Sequence, residues 1–390
     1  MKEFFMKFSE KIKELAMKIS GKILPAVNYS LSGEKFCKYF FCIFAGFIVF
    51  FTLLVFWLDP YVYYHKAFGV RQVYDLRSVA IIPGILRHFD YDCMLIGSSM
   101  TQNFHIDRIN SALKVNCIKA TSAGLTGSTL NEYLKKALSA KKGKLKRVLI
   151  GMDFFALTQD KLQLWEPYHY LYKDTFFPPE YFYSADTLEA VWKVIRVNIA
   201  YPFSQKMRDE ACYNTMFCNQ RNRHKYGRRY IEDYVRRMTS YPMGNPVIFR
   251  KSLDTYVLKH VRENPEVRFD LFLPPYSVYL WCTLDEANFL DMFCNDRNYL
   301  AGIVGKYPNI VLHDFHAVEE ISCNLDLYKD VTHYSPAVND MILEGIASGK
   351  YVFKGKAFTE RTEKLKKLTA KYRPEFDSLR AEIRRKRENK

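Results

Sequence analysis

CMLIGSSMTQNF, Cys93 to Phe104, decides how this chain reads. An apolar run, Cys93 to Ile96, stops at Gly97, and two serines follow before a helical pattern begins, so Ser99 sits where a strand breaks into a turn. LYKDVTHYSPAVND, Leu327 to Asp340, supplies the complementary groups, Asp330 and His333, three residues apart. Nucleophilic catalysis needs a hydroxyl made basic by an imidazole and an imidazole held in one tautomer by a carboxylate, in any chain order. Here that order is Ser99, Asp330, His333.

Outward from Cys93, short apolar runs recur at Val115 to Ile118, Arg147 to Ile150, Val267 to Leu273 and Ile310 to Leu312. Helical patterns follow several of them. Thr129 and Glu132 have the spacing of a capping box that starts a helix through Leu130, Tyr133, Leu134, Ala137 and Leu138. Ser335 and Pro336 suit the cap and first turn of a helix carrying Val338, Met341 and Ile342. The rhythm predicts a three-layer α/β/α domain on a five-stranded parallel sheet, whose active site lies at the carboxyl ends of the strands. Ser99 and Asp153 both fall just past strand ends.

The chain has 390 residues, and 48% of them are hydrophobic, ample for a sizeable core. Its net charge of +16 sits at the ends: residues 1–38 carry eight Lys against four Glu, and 350–390 carry fifteen Lys/Arg against six acids. Only +3 remains between them, which argues against a nucleic-acid-binding core and for an anionic membrane surface or polymer. Tyr39 to Leu58 is a run of twenty residues without a charge, the length of a transmembrane helix. It reads as a retained anchor, with Trp57, Tyr61, Tyr63 and Tyr64 as an aromatic belt. The lysines before it put the N-terminus in the cytoplasm and the remainder outside. Apolar spacing through Phe5, Phe8, Ile12, Leu15 and Ile19 fits an amphipathic helix on the inner leaflet or on a partner.

Five segments follow: a basic segment 1–38, the span 39–58, a linker 59–89, the α/β domain 90–348 with a long insert at about 160–262, and a basic tail 349–390, helical or partly disordered. Seven of the nine cysteines lie beyond the span. Cys212 with Cys218 and Cys282 with Cys294 are close enough to be bridged, while Cys93 and Cys117 read as buried thiols. No Cys/His spacing suits zinc, so neither a metal nor a cofactor is expected.

Gly97, Ser98 and Ser99 after one strand, Gly124 and Gly127 after the next, Gly151 and Asp153 after the third, and Asp330 with His333 near the end together resemble the SGNH/GDSL hydrolase superfamily over residues 90 to 348. With one N-terminal span and GSS in place of GDS, the pattern looks most like membrane-anchored members that serve polysaccharide O-acetylation or teichoic acid D-alanylation. The resemblance implies a flavodoxin-like SGNH fold with Ser99 as nucleophile, His333 as general base and Asp330 as its orienting carboxylate. It also implies that Gly127 offers a backbone N–H to the oxyanion, although a plain turn before the helix would use a glycine there too. A membrane-bound O-acyltransferase partner is implied on the same ground. Hydrolytic members usually carry Asn where Asp153 stands, and an ionised carboxylate donates nothing to an oxyanion. Asp153 is therefore either protonated, or in contact with another group, or a sign that the site only binds.

The expected function is a membrane-anchored extracytoplasmic serine esterase or O-acyltransferase acting on a surface polysaccharide through an acyl-serine; the alternative is a non-catalytic glycan-binding or assembly protein on the same fold. Tyr276 and Ser277, at the end of the fourth strand, and His105, on the helix after Ser99, are candidate substrate contacts, while Ser98, His313 and His316 read as structural. The aromatic stretch 164–183 suits core or membrane-facing packing, or sugar stacking. The basic stretch Arg221 to Arg237 suits phosphate or carboxylate groups, lipid headgroups or a solvated helix face.

Overall fold

A computed structural model describes residues 33–74, 78–158, 168–173, 175–204, 206, 224–239, 241 and 245–388. The surface helix expected over Phe4 to Ile19, Trp165, the Cys212/Cys218 pair and Arg221 lie outside them. Five parallel strands, β1 (Cys93–Gly97), β2 (Cys117–Thr121), β3 (Arg147–Gly151), β4 (Arg268–Leu273) and β5 (Ile310–Asp314), form one sheet in the order β2-β1-β3-β4-β5. All five expected runs are strands; β2 starts two residues later than the apolar pattern. The order reverses between β1 and β3, the switch point at which open α/β sheets bind ligands, and Ser99 and Asp153 follow those two strands.

The longer helices are α1 (Gly33–Leu58), α2 (Ser78–His88), α3 (Ile106–Leu113), α4 (Gly127–Ala140), α5 (Ala185–Ala200), α6 (Arg228–Arg237), α7 (Val278–Glu286), α8 (Leu290–Val304), α9 (Pro336–Ser348) and α10 (Lys356–Glu388). The chain divides into two units, residues 1–54 and 55–390. In the first, α1 begins six residues before the charge-free run, and its 26 residues are long and apolar enough to cross a membrane.

In the second unit α2 packs on α4, α3 on α9, and α7 and α8 on α10. The segments read as linker and tail are built into this core. Ile81, Ile82, Ile85 and Leu86 of α2 are buried, as are Phe358, Leu365, Leu368, Phe376 and Leu379 of α10. The α10 pattern is hard to read as core because lysines and arginines fill every other face of a very basic helix. Helix α4 begins at Gly127 with Thr126 as its cap, accepting from Thr129 N–H, so Thr129 is the third helical residue and not the cap. Cys93 and Cys117 are buried thiols, and Cys282 and Cys294 are also free.

Two of the tyrosines after α1 face the core and not a belt. Tyr61 and Tyr63 are buried, with their hydroxyls donating to the carbonyls of Asp186 and of Lys173 and Thr175. Asp59 organises this turn by accepting the N–H groups of Tyr63, Tyr64 and His65 at 2.8–2.9 Å and the hydroxyl of Tyr181. Its burial raises its pKa despite those bonds.

Candidate active site

The turn after β1 is short because two glycines let it fold tightly. A Cβ on Gly97 or on Gly151 of β3 would lie 2.6–2.7 Å from Thr101 Cγ2, so both strand ends must be bare for Thr101 to tuck between them. Ser98 caps the 3-10 turn Ser99–Thr101, and Thr101 Oγ1 donates back to the Ser98 carbonyl at 2.8 Å. This leaves Ser99 partly exposed as the first residue of the turn.

The loop before α9 carries the other two groups. Ser277 grips it from behind, its N–H and hydroxyl both donating to the Val331 carbonyl at 3.2 and 2.8 Å. Tyr328 donates to the Pro275 carbonyl at 2.7 Å, and Tyr334 reaches across to the Met100 carbonyl at 3.0 Å. That last bond sets the register between the His333 loop and the turn that bears Ser99.

With both loops fixed, Ser99 Oγ lies 2.8 Å from His333 Nε2, and His333 Nδ1 lies 3.0 and 2.9 Å from the two oxygens of Asp330. Asp330 Oδ1 also accepts the backbone N–H groups of Thr332 at 2.9 Å and His333 at 2.7 Å. Burial alone would raise the Asp330 pKa, but the His333 ring and these N–H groups hold it below the usual carboxylate value. The three residues separated by more than two hundred positions form one continuous hydroxyl, imidazole, carboxylate relay.

Asp153 is engaged elsewhere. Its Oδ2 accepts the Ser98 hydroxyl at 2.9 Å, and its Oδ1 accepts the Tyr276 hydroxyl at 2.7 Å and the Phe155 N–H at 3.1 Å. It caps the short helix Phe154–Leu157 and steadies Ser98, the residue beside Ser99. Tyr276 is fully buried, and burial followed by the neighbouring Asp153 carboxylate keeps its phenol protonated. Tyr276 and Ser277 are thus buried supports behind the site, and neither is among the described residues that line the cleft at Ser99. His316 stacks on Tyr276 at 5.2 Å and touches Arg297, which pairs with Asp314, so a buried charged cluster backs the supports in turn. His313 is likewise buried, 2.9 Å from Asp270.

Two further candidates, Gly127 and His105, are not among the described residues that line the cleft at Ser99. Gly127 is buried at the start of α4, where a Cβ would meet the Tyr256 ring at 2.6 Å. Its bareness serves that packing. His105 stands at the cap position of α3. The cleft, about 110 Å³, is lined by Ser99, Met100, Gln102, Asn103, His224, Tyr226, Lys329, His333 and Tyr334. Lys329 and His224 bring basic groups to its mouth, and burial followed by nearby Lys329 and His333 lowers the His224 pKa. Most of the basic stretch beyond is a solvated helix: in α6, Arg228 and Arg236 pair with Glu232, and Ile231 and Val235 face inward.

Lys119 was missed by sequence reading. It is buried in β2, where its ammonium donates to the carbonyls of Gln102 at 3.1 Å and Phe104 at 2.9 Å, holding the cleft wall from beneath. Burial lowers its pKa from 10.5 to about 8. Between these values the unfolded chain binds a proton that the folded chain does not, so stability rises with pH across that window and is lost as pH falls through it. Relative to Lys119→Met, the wild type should gain about 3 kcal/mol of unfolding free energy between neutral pH and about pH 10, read by denaturation of both proteins in detergent.

Among the described residues no cluster of His, Cys, Asp or Glu could hold a metal ion. No family model matches the chain, and a search of curated proteins finds no match.

Proposed function

We propose that the protein is a membrane-anchored serine esterase or acyltransferase that carries a short acyl group on Ser99. The observation that bears this reading is the relay from Ser99 through His333 to Asp330, with every separation between 2.8 and 3.0 Å. In the first step Ser99 Oγ bonds to the acyl carbonyl carbon while His333 Nε2 takes the hydroxyl proton; that proton then goes to the leaving oxygen as its bond to the carbonyl breaks. In the second step His333 removes a proton from water or from an acceptor hydroxyl, which attacks the acyl-serine carbonyl carbon, and returns that proton to Ser99 Oγ as the bond between it and the acyl carbon breaks. Asp330 stabilises the imidazolium in both.

The Ser99 N–H and the side-chain amide of Gln102, both at this cleft, are candidate donors to the oxyanion. About 110 Å³ holds only a few non-hydrogen atoms, against the ~300–1,000 Å³ of a cleft that takes a drug-sized ligand, which favours an acetyl- or aminoacyl-sized group. Lys329 and His224 favour an anionic or phosphate-bearing carrier or acceptor. The lysines before α1 favour a catalytic domain outside the cytoplasm, where the acceptor is a surface glycan and the acyl group is delivered by a membrane-bound partner.

Incubation of the purified full-length protein with p-nitrophenyl acetate, followed by acid quench and peptide mass spectrometry, tests the reading. An acetyl group on the Ser99 peptide supports it; absence of that adduct together with no p-nitrophenol release would leave a glycan-binding protein on this fold. Asp153→Asn checks the oxyanion assignment. With its oxygen kept by Phe155 N–H, the amide nitrogen would face the Ser98 hydroxyl, which can turn to accept, so esterase activity should change by less than about tenfold. A carboxylate inside the oxyanion hole would instead make this substitution raise the rate ~10²–10³-fold.

A further inference from the structure

Helix α5 has two apolar faces. Thr187, Ala190, Val191, Val194 and Val197 are buried against the fold. Leu188, Trp192, Ile195 and Ile199 lie within about 60° of arc on another side at 100° per residue. Trp192 and Ile199 are 64% and 69% exposed, and Phe203, just past the helix, is 89% exposed. Monomeric soluble domains seldom leave such a contiguous apolar stripe in water.

The stripe is not an isolated defect. Among the described residues, ten of the thirteen large hydrophobic side chains exposed beyond Val55 fall in 56–68 or 176–203. These two segments are bonded to each other. Tyr61 donates to the Asp186 carbonyl at 3.1 Å, Tyr64 to that of Phe176 at 2.9 Å, and Tyr181 to Asp59. Arg71 N–H donates to Asn198 Oδ1 at 2.7 Å, Asn198 Nδ2 donates back to the Arg71 carbonyl at 3.1 Å, and the Arg71 guanidinium lies 3.8 Å over the Tyr201 ring. Residues 59–71 follow directly on α1, so whatever surface α1 emerges from, α5 is fastened to the first chain beyond it.

We propose that α5 is an interfacial helix, with Leu188, Trp192, Ile195 and Ile199 seated in the headgroup–acyl boundary of the bilayer that α1 spans. The occupant is lipid. The stripe lies on a helix bonded to the chain that directly follows a membrane-spanning segment, and it carries Trp192, with Phe203 just beyond the helix, side chains that favour that boundary. The inference is independent of the chemistry at Ser99.

The test uses the full-length protein in phosphatidylcholine vesicles containing a minority of phosphatidylglycerol. The difference in emission between wild type and Trp192→Phe isolates Trp192 from Trp57, Trp165 and Trp281. In vesicles whose lipid is brominated near the carbonyl end of the acyl chains, the Trp192 component should lose most of its intensity, and aqueous iodide should leave it largely unquenched. Quenching by iodide and not by brominated lipid would place the stripe in water and overturn the proposal. Protection from both would overturn it too, showing a protein surface over the stripe. Ile199→Trp in the Trp192→Phe background gives a second reporter one stripe position along and should behave like Trp192.

Discussion

Ser99→Ala is expected to abolish labelling by a fluorophosphonate probe and to lower ester hydrolysis roughly 10⁴-fold or more. The size follows from what the substitution removes. Ser99 Oγ is the hydroxyl end of the relay and lies 2.8 Å from His333 Nε2. Ser98, its neighbour, cannot substitute: its hydroxyl is buried and committed to Asp153 at 2.9 Å, and its oxygen caps the turn at Met100 N–H. Because Ser99 is partly exposed and its hydroxyl makes no bond that holds the turn, Ser99→Ala should unfold at the wild-type temperature. Labelling that persists in Ser99→Ala and disappears in Ser98→Ala would move the nucleophile by one residue and break the relay as described.

The strands and the order of the three relay residues were legible because both signals are local. An apolar run of about five residues with a glycine at its end marks a buried parallel strand wherever it occurs, and CMLIG and RVLIG carry that mark plainly. The supports behind the site were not legible, because each is defined by a partner far along the chain. Asp153 looked like an anomaly in an oxyanion position; its meaning depends on Ser98, 55 residues earlier, and Tyr276, 123 residues later. Ser277 depends on a carbonyl 54 residues away. Lys119 interrupts CIKAT, and nothing local to that run points to the carbonyls of Gln102 and Phe104 that it holds.

The same reasoning explains the basic C-terminal end of the chain. Charge counting separated them from the middle, and the lysine-rich sequence of α10 suggested a tail following an anionic surface. Yet Arg361 pairs with the buried Asp314 at 2.7 Å, and Tyr279 donates to Glu375 at 2.8 Å. The helix therefore closes the domain at β5 and α7. Composition averages over faces, and a helix with one narrow apolar stripe can belong to a core while remaining strongly cationic.

Asp330→Asn should lower activity ~10⁴-fold while leaving the fold intact, and the geometry says why. Asp330 Oδ1 accepts the N–H groups of Thr332 and His333, so an asparagine must place its oxygen there and its nitrogen at the Oδ2 position, 2.9 Å from His333 Nδ1. A donor at that position needs Nδ1 as an acceptor. An Nδ1–H would keep only the asparagine oxygen, at 3.0 Å, and would clash with the amide donor at 2.9 Å, so the ring proton is favoured on Nε2, the atom facing Ser99, and the base is lost although every heavy atom stays in place. Asp330→Ala removes the wrong-tautomer constraint together with the charge, so it should retain more activity than Asp330→Asn if tautomer control is the main role of the carboxylate. Parallel measurement of kcat for the two variants, with unfolding temperatures to exclude structural loss, separates these effects. Equal losses in both would assign the role of Asp330 to stabilising the imidazolium charge, and wild-type activity in Asp330→Asn would remove His333 from the mechanism.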